Sequence, residues 1–569
     1  MAELRTREMV IVAQDPGVKR DGRILTAKVS VPWEILKKGP VGHRVSVVDY
    51  DASTQTMYSA AAPEDALPED DAELLGDPRF HARNAYALVM RTLGRFEYAL
   101  GRRVGWGFEA HQLKVIPHAF EDMNAFYSPE TEALVFGYYR TDEGLAFTCL
   151  SHDIVVHETS HALLDGLRKR FTRPSSPDQA AFHEAFGDIV ALLSVFSLGA
   201  VLRTLIEHRE SEEGDDATPP GLIAAERVST EALMGSVLFG LAEQMGTEAG
   251  SARSRALRRS VEIEPDARIL GRLEFQEAHR RGEVLVAAVM RAFVAAWSFR
   301  LTSLGKVEDK YYDIGRVVEE GESIAEVLLT MAIRAIDYMP PIHIEFGDYL
   351  SALLTADSQI RASDHQYRLR DELIEWFAKY GIQPASTDDG GTWMPPPSPL
   401  DNQGVRFQGL QTDPIEMFRL LWANHRRLNL DPGAFTRVES VRPCVRISPE
   451  DGMPLRETVA ECTQYVKLRA RDLGKFGLVA PSGMPADQEV TLEGGSTLIF
   501  DEYGRLKYDI HNRLPSKRRD SDPVEAQERL QYLWEQGAFS AGSSFKARFS
   551  ALHRRRSGLP AFDDHDEVW

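Results

Sequence analysis

The chain has 569 residues, of which 43% are apolar and 27% charged. These are globular proportions, which exclude a largely disordered, collagenous or fibrous protein, and the length suggests about three domains. Asp plus Glu number 86 against 66 Lys plus Arg, a formal charge of −20, so neither nucleic acid nor an anionic membrane is expected as a partner.

In chain order, the first 65 residues read as β structure. Met9–Ala13, Arg23–Val31 and His43–Asp51 alternate or run in β-branched residues, with Gly and Pro between them. Pro63–Asp77 is acidic and reads as a surface loop. From Pro78 to Gly101, apolar residues recur every three or four positions (Phe80, Tyr86, Val89, Met90, Leu93, Phe96, Leu100), the mark of an amphipathic helix. Short strands are expected at Leu113–Ile116, Ala125–Tyr127 and Ala133–Tyr138. Residues 148–382 are helical by pattern, with core helices at Val284–Leu301 and Ile324–Tyr338. Glu207–Gly221 is expected as a charged, solvated loop. Residues 383–404, with three consecutive prolines, read as a linker. In 405–569 a helix (Pro414–Arg427), four strands (Arg437–Ser448, Glu457–Ala470, Glu489–Asp501, Leu506–Arg513) and a helix from Pro523 suggest a C-terminal β-rich domain.

Cys149, Cys444 and Cys462 show no CxxC spacing and read as buried thiols in a reducing compartment. The N-terminal apolar run, Met9–Ala13, is shorter than the 7–15 residues of a signal peptide. The longest apolar stretch, Ile189–Leu202, falls short of the roughly 20 residues that span a bilayer. The expectation is a cytoplasmic protein with no membrane association. The basic clusters Arg258–Arg259, Lys517–Arg519 and Arg554–Arg556 read as solvated surface.

The chemistry concentrates in His157-Glu158-Thr159-Ser160-His161. Histidines at i and i+4 share a helical face, so both imidazoles can reach one metal ion, and Glu158 stands ready to take a proton from a metal-bound water. The bland alternative is a helix with two ordinary surface histidines. Downstream, Glu184 and Asp188 share a face of a second helix, His183–Ile189 and beyond. Glu184 can supply a third ligand, and Asp188 can accept a hydrogen bond from the far nitrogen of a ligating histidine. The alternative here is a buried salt bridge. That helix opens with Ser176, Pro177 and Gln179, which fits a cap, a first-turn proline and the glutamine of a capping box. His183, adjacent to Glu184, points to another face and reads as structural or as pocket lining.

At these residues the sequence resembles the thermolysin-like gluzincin metallopeptidases. Asp153–Ala162 and Glu184–Ile189 look like that family's two zinc helices, and Asn124-Ala125-Phe126-Tyr127 looks like its substrate-binding edge strand. The resemblance covers roughly residues 70–360 and leaves 390–569 unaccounted for. It implies an α+β fold: a β-rich N-terminal lobe over 1–147 with one long helix and the edge strand, and a helical zinc-binding lobe over 148–382. It implies Zn2+ held by His157, His161 and Glu184, with Glu158 as general base and Asp188 behind the ligands. It also implies Asn124 and Ala125 against a peptide backbone, and an oxyanion-stabilising His279 oriented by Glu274. The substrate would be a peptide or protein. The sequence departs from the family in three ways. Phe171–Pro177 reads as an insertion, the carboxylates of a double calcium site are missing around Val195 and Gly199–Leu205, and no long propeptide precedes the catalytic lobe.

The leading expectation is therefore a zinc metalloendopeptidase whose C-terminal domain limits access to the cleft, so that removing 390–569 would raise activity. A related zinc aminopeptidase would need a Gly-x-Met-Glu-Asn motif, which the sequence lacks. A toxin or dedicated-partner module with little general proteolysis is the alternative of a different class.

Overall fold

The computed structural model describes residues 5–20, 22–58, 62, 66–141, 144–213, 218–235, 260, 262–449, 451–515 and 523–539. The three basic clusters lie outside the described residues. The fold mixes helices and sheets in the segregated manner of an α+β protein.

The alternating N-terminal segments pair as an antiparallel hairpin, β1 (Thr6–Val12) with β2 (Thr26–Pro32). A mixed sheet follows, built from β3 (Val45–Val47), β4 (Leu113–Glu121), β5 (Ala125–Ser128), β6 (Ala133–Thr141) and β7 (Gly144–Phe147). Its order is β7-β6-β4-β3. β3 and β6 run parallel to β4, and β5 lies antiparallel beside β6. The long helix α1 (Pro78–Leu100) opens where Asp77 accepts the Arg79 N–H and Pro78 fills the first position. It ends at Gly101, whose φ of 66° suits the left-handed cap. Buried Asn84 on α1 accepts the Val12 N–H and donates to the Cys149 carbonyl, both at 2.9 Å. One amide thus ties the hairpin to the turn that precedes the next helix.

α2 (His152–Leu167) and α3 (Pro177–Phe196) are apolar nearly all round and buried on almost every face, as central helices must be. The Ser176 hydroxyl accepts the Gln179 N–H at 3.1 Å, as the sequence suggests. The Gln179 side chain does not complete a capping box. Its amide donates to the Arg170 and Arg173 carbonyls at 3.0 and 2.9 Å, closing the loop between the two helices.

A second difference is α4 (Gly199–Glu213), which runs through the first half of the expected Glu207–Gly221 loop. Charge does not break a helix, and Glu and Arg are good helix formers. Glu207 pairs with Arg203 at 3.4 Å and with Arg20 of the hairpin region.

The core helices α5 (Ala278–Thr302) and α6 (Ile314–Ala335) follow, then α7 (Phe346–Ser358). Among the described helices taken singly, α5 alone is long and apolar enough to cross a membrane, and 89% of its most apolar window is buried within the protein. The stretch Ile189–Leu202 is broken: α3 and α4 meet at a 79° bend.

The segment expected as a linker is strapped to the helical lobe. Trp393 donates from its backbone to Thr355 and from its indole to the Tyr338 carbonyl, both at 2.8 Å. Beyond it, α8 (Pro414–Ala423) packs on an antiparallel sheet of β8 (Phe435–Ile447), β9 (Pro454–Arg469), β10 (Glu489–Asp501) and β11 (Leu506–Asn512), in that order. The last described helix is α9 (Pro523–Glu535).

This sheet is not a detachable cover. Ile499, Tyr508 and Ile510 belong to the same apolar core as α1 to α7. A largely buried ionic network crosses the junction: Arg102 and Arg446 both pair with Asp337, and Arg446 continues to Glu457. Glu457 also accepts from Tyr338 at 2.8 Å and Lys507 at 2.6 Å. The two guanidinium groups hold the Asp337 carboxyl well below its ordinary range, against the opposing effect of its burial. Removing 390–569 would strip Asp337 of one cation and expose core side chains, so the expected gain of activity on truncation gives way to an expected loss of the fold.

Candidate metal centre

α2 presents His157 and His161 one turn apart, and α3 crosses beside it and presents Glu184. The donor atoms of the three converge within 4.8 Å of one another, and all three side chains are buried. His157 Nε2 stands 3.6 Å from one Glu184 oxygen, and His161 Nε2 stands 3.7 Å from the other. These are not hydrogen bonds. In a tetrahedral shell with bonds of about 2.0–2.1 Å, neighbouring donors stand roughly 3.3–3.4 Å apart, so a metal ion fits among them. His157 Nε2 is buried and makes no hydrogen bond to any described residue, which is costly unless a cation meets it.

Behind the donors, Asp188 Oδ1 lies 2.7 Å from His157 Nδ1, on the side expected from the spacing of Glu184 and Asp188, as an ion-pair contact whose angles fall short of a hydrogen bond. It leaves Nε2 as the nitrogen that faces Glu184. Gly187 lies between those two carboxylates for a steric reason: a Cβ there would come within 2.9 Å of His157 Nδ1 and 3.0 Å of Cε1. His183 is not remote from the centre. Its ring stacks on His161 at 4.5 Å between centroids, walling that imidazole.

Glu158 is buried, and its Oε2 accepts the Tyr127 N–H at 3.0 Å. That bond fixes the facing of β5. Alternate residues of an antiparallel strand turn towards and away from the partner, so Tyr127, and with it Ala125, faces away from β6. The Ala125 N–H is taken by Asn124 Oδ1 at 2.9 Å. The strand expected to offer free donors therefore has both of these engaged, one by its own cap and one by Glu158. Ala125 still opens the strand beside α2, and Asn124 immediately precedes it.

His279 lies in the first turn of α5, and Gly282, one turn on, closes against α3: a Cβ there would meet the Ala181 carbonyl at 3.1 Å. Arg281 pairs with Asp178 across the same contact. The orienting carboxylate is Glu277, not Glu274. Glu277 Oε1 holds His279 Nδ1 at 2.6 Å, whereas Glu274 is exposed in the preceding 3-10 turn. The reason is capping: Glu277 is the N-cap of α5, and its carboxylate also accepts the His279 and Arg280 N–H groups. Burial alone would raise its pKa, but the His279 contact and those N–H groups bring it down to about 2. His279 Nε2 is buried and without a hydrogen bond among the described residues. Glu277 was legible from its place just before the helix start. The Gly187 cradle and the Tyr127–Glu158 bond had no signal in the sequence.

No protein-family model matches the chain, and a search of curated proteins finds no match.

Proposed function

We propose that the chain is a thermolysin-like zinc metalloendopeptidase, with His157, His161 and Glu184 as zinc ligands and Glu158 as general base. The observation that carries this reading is the convergence of three buried donor atoms beside a carboxylate held by a strand N–H. Two imidazoles and one carboxylate, with a position left for water, make the donor set of a catalytic zinc. Zinc bound there would supply a water acidified towards a pKa of about 7 and a Lewis acid for the scissile carbonyl.

The chain's own groups do the rest. Tyr127 positions Glu158 through one carboxylate oxygen, and Glu158 takes the proton of the attacking water and returns it to the leaving amine. Asp188 keeps the His157 ring in its ligating tautomer. Glu277 orients the His279 ring through Nδ1 and leaves Nε2 for the oxyanion. An extended peptide would lie along β5 and displace Asn124 Oδ1 from the Ala125 N–H.

One observation favours a narrower reading, a protease dedicated to one partner: the donors of β5 are already engaged, so an arbitrary peptide must compete for them. The experiment is to measure zinc content and cleavage of an unstructured protein in wild type, Glu158→Gln and His161→Ala. Glu158→Gln is expected to keep its zinc and lose cleavage, and His161→Ala to lose one zinc per chain. Unchanged zinc in His161→Ala, or undiminished cleavage by Glu158→Gln, would overturn the assignment. Full zinc with no cleavage by the wild type would favour the dedicated partner.

A further inference from the structure

A second group of ligating side chains lies at the other end of α2, in the N-terminal lobe. His81 of α1, His118 of β4 and Cys149, in the turn before α2, bring one donor atom each within 4.8 Å of one another, all fully buried. His81 Nε2 meets the Leu75 carbonyl at 2.8 Å. A carbonyl only accepts, so this nitrogen carries a proton. His118 Nδ1 meets Asp49 Oδ1 at 2.7 Å, and a carboxylate there likewise calls for a proton on the ring.

With both outer nitrogens donating, the inner ones, His81 Nδ1 and His118 Nε2, present lone pairs. They face each other at 2.7 Å. Two lone pairs at that distance repel unless a cation lies between them, either one extra proton shared along the Asp49–His118–His81 relay or a metal ion.

The outer contacts match how protein zinc sites are supported, each histidine giving its far N–H to a carbonyl or carboxylate. The Cys149 thiol converges on the same point, which a proton relay does not require. Phe147 seals the group, 4.5 Å from the His81 ring and 5.3 Å from the His118 ring. Charge also balances. With the shared proton, the imidazolium and Asp49 cancel. On binding a divalent ion, that proton and the thiol proton leave to solvent and a metal–sulfur bond forms. The ion's two charges then meet one thiolate and one carboxylate, and the buried site stays neutral. The inner nitrogens need to part by about 0.6 Å to match a tetrahedral shell, a rotation of two rings.

We propose that His81, His118 and Cys149 form a second zinc site, with Asp49 and Leu75 orienting the two rings. It would pin α1 and β4 to the turn that launches α2. The inference does not depend on the peptidase reading, because the two sites share no residue.

Cobalt exchange of the full chain tests it, since a thiolate ligand gives cobalt an intense near-ultraviolet charge-transfer band that a two-histidine, one-glutamate site cannot give. The His161→Ala chain is expected to bind one cobalt ion and show the band. Cys149→Ala is expected to bind one ion without it, and the double variant to bind none. Absence of the band in both wild type and His161→Ala would overturn the site and leave the relay holding a proton. The His161→Ala spectrum decides the matter even if Cys149→Ala does not fold.

Discussion

Gly187→Ala should weaken metal affinity without lowering the stability of the metal-free protein. The new Cβ would meet His157 Nδ1, Cε1 and Cγ at 2.9, 3.0 and 3.1 Å. Ordinary contact begins near 3.5 Å, so the ring must retreat by about 0.5 Å. Zinc ligands tolerate about 0.2 Å. The retreat also loosens the 2.7 Å contact to Asp188. Loss of such a supporting contact typically costs 10–100-fold in affinity, about 1.4–2.7 kcal/mol. In the metal-free protein the same change replaces a mid-helix glycine by the best helix former, worth up to about 1 kcal/mol before the displaced ring is counted. Chelator competition reads the zinc affinity, and thermal melting with and without chelator reads the two stabilities. The expected result is weaker zinc, no loss of metal-free stability and a narrowed gap between the two melting points. Unchanged zinc affinity would refute His157 as a ligand in this geometry.

Three further outcomes follow from the described contacts. Glu277→Gln should depress cleavage, because it loosens the 2.6 Å contact that orients the His279 ring, while the exposed Glu274→Gln should leave cleavage unmoved. Arg446→Met leaves Asp337 and Glu457 each short of a buried partner, and denaturant unfolding should show a loss of about 3–5 kcal/mol. Burial pushes Asp348 up to about 7. A carboxyl raised above its unfolded value near 3.9 gives its full stability below that pH and loses it as pH rises towards about 7. Unfolding at pH 4.5 and pH 8 should therefore show wild type weaker at the higher pH, with a smaller difference in Asp348→Asn.

Local pattern carried far in this chain. Pro78 and Gly101 bracket α1 because a fixed φ suits a helix start and a left-handed residue suits its end. The spacing of His157 with His161, and of Glu184 with Asp188, places each pair on one face because both segments are helical. Composition misled where it stood in for contacts. Charged Glu207–Glu213 is helix, and the proline-rich segment that holds Trp393 is docked. Other features join residues far apart in sequence. His81 meets His118 across 37 positions, and Arg446 meets Asp337 across 109. No periodicity encodes such pairings. They appear only when the sheet and helices have closed around them. Glu277 over Glu274 is a subtler case, decided by the residue at which the helix begins.

The shared core of the two halves also has a consequence in time. Ile499, Tyr508 and Ile510 complete the apolar packing around the helices that carry His157 and Glu184. A ribosome adding roughly 5–20 residues per second needs roughly 15–65 s to travel from Asp188 to Ile510. Through that interval these helices exist without part of the surface that holds them together. Assembly of the candidate site is thereby postponed until synthesis has passed Ile510, more than 300 residues beyond the last of its donors.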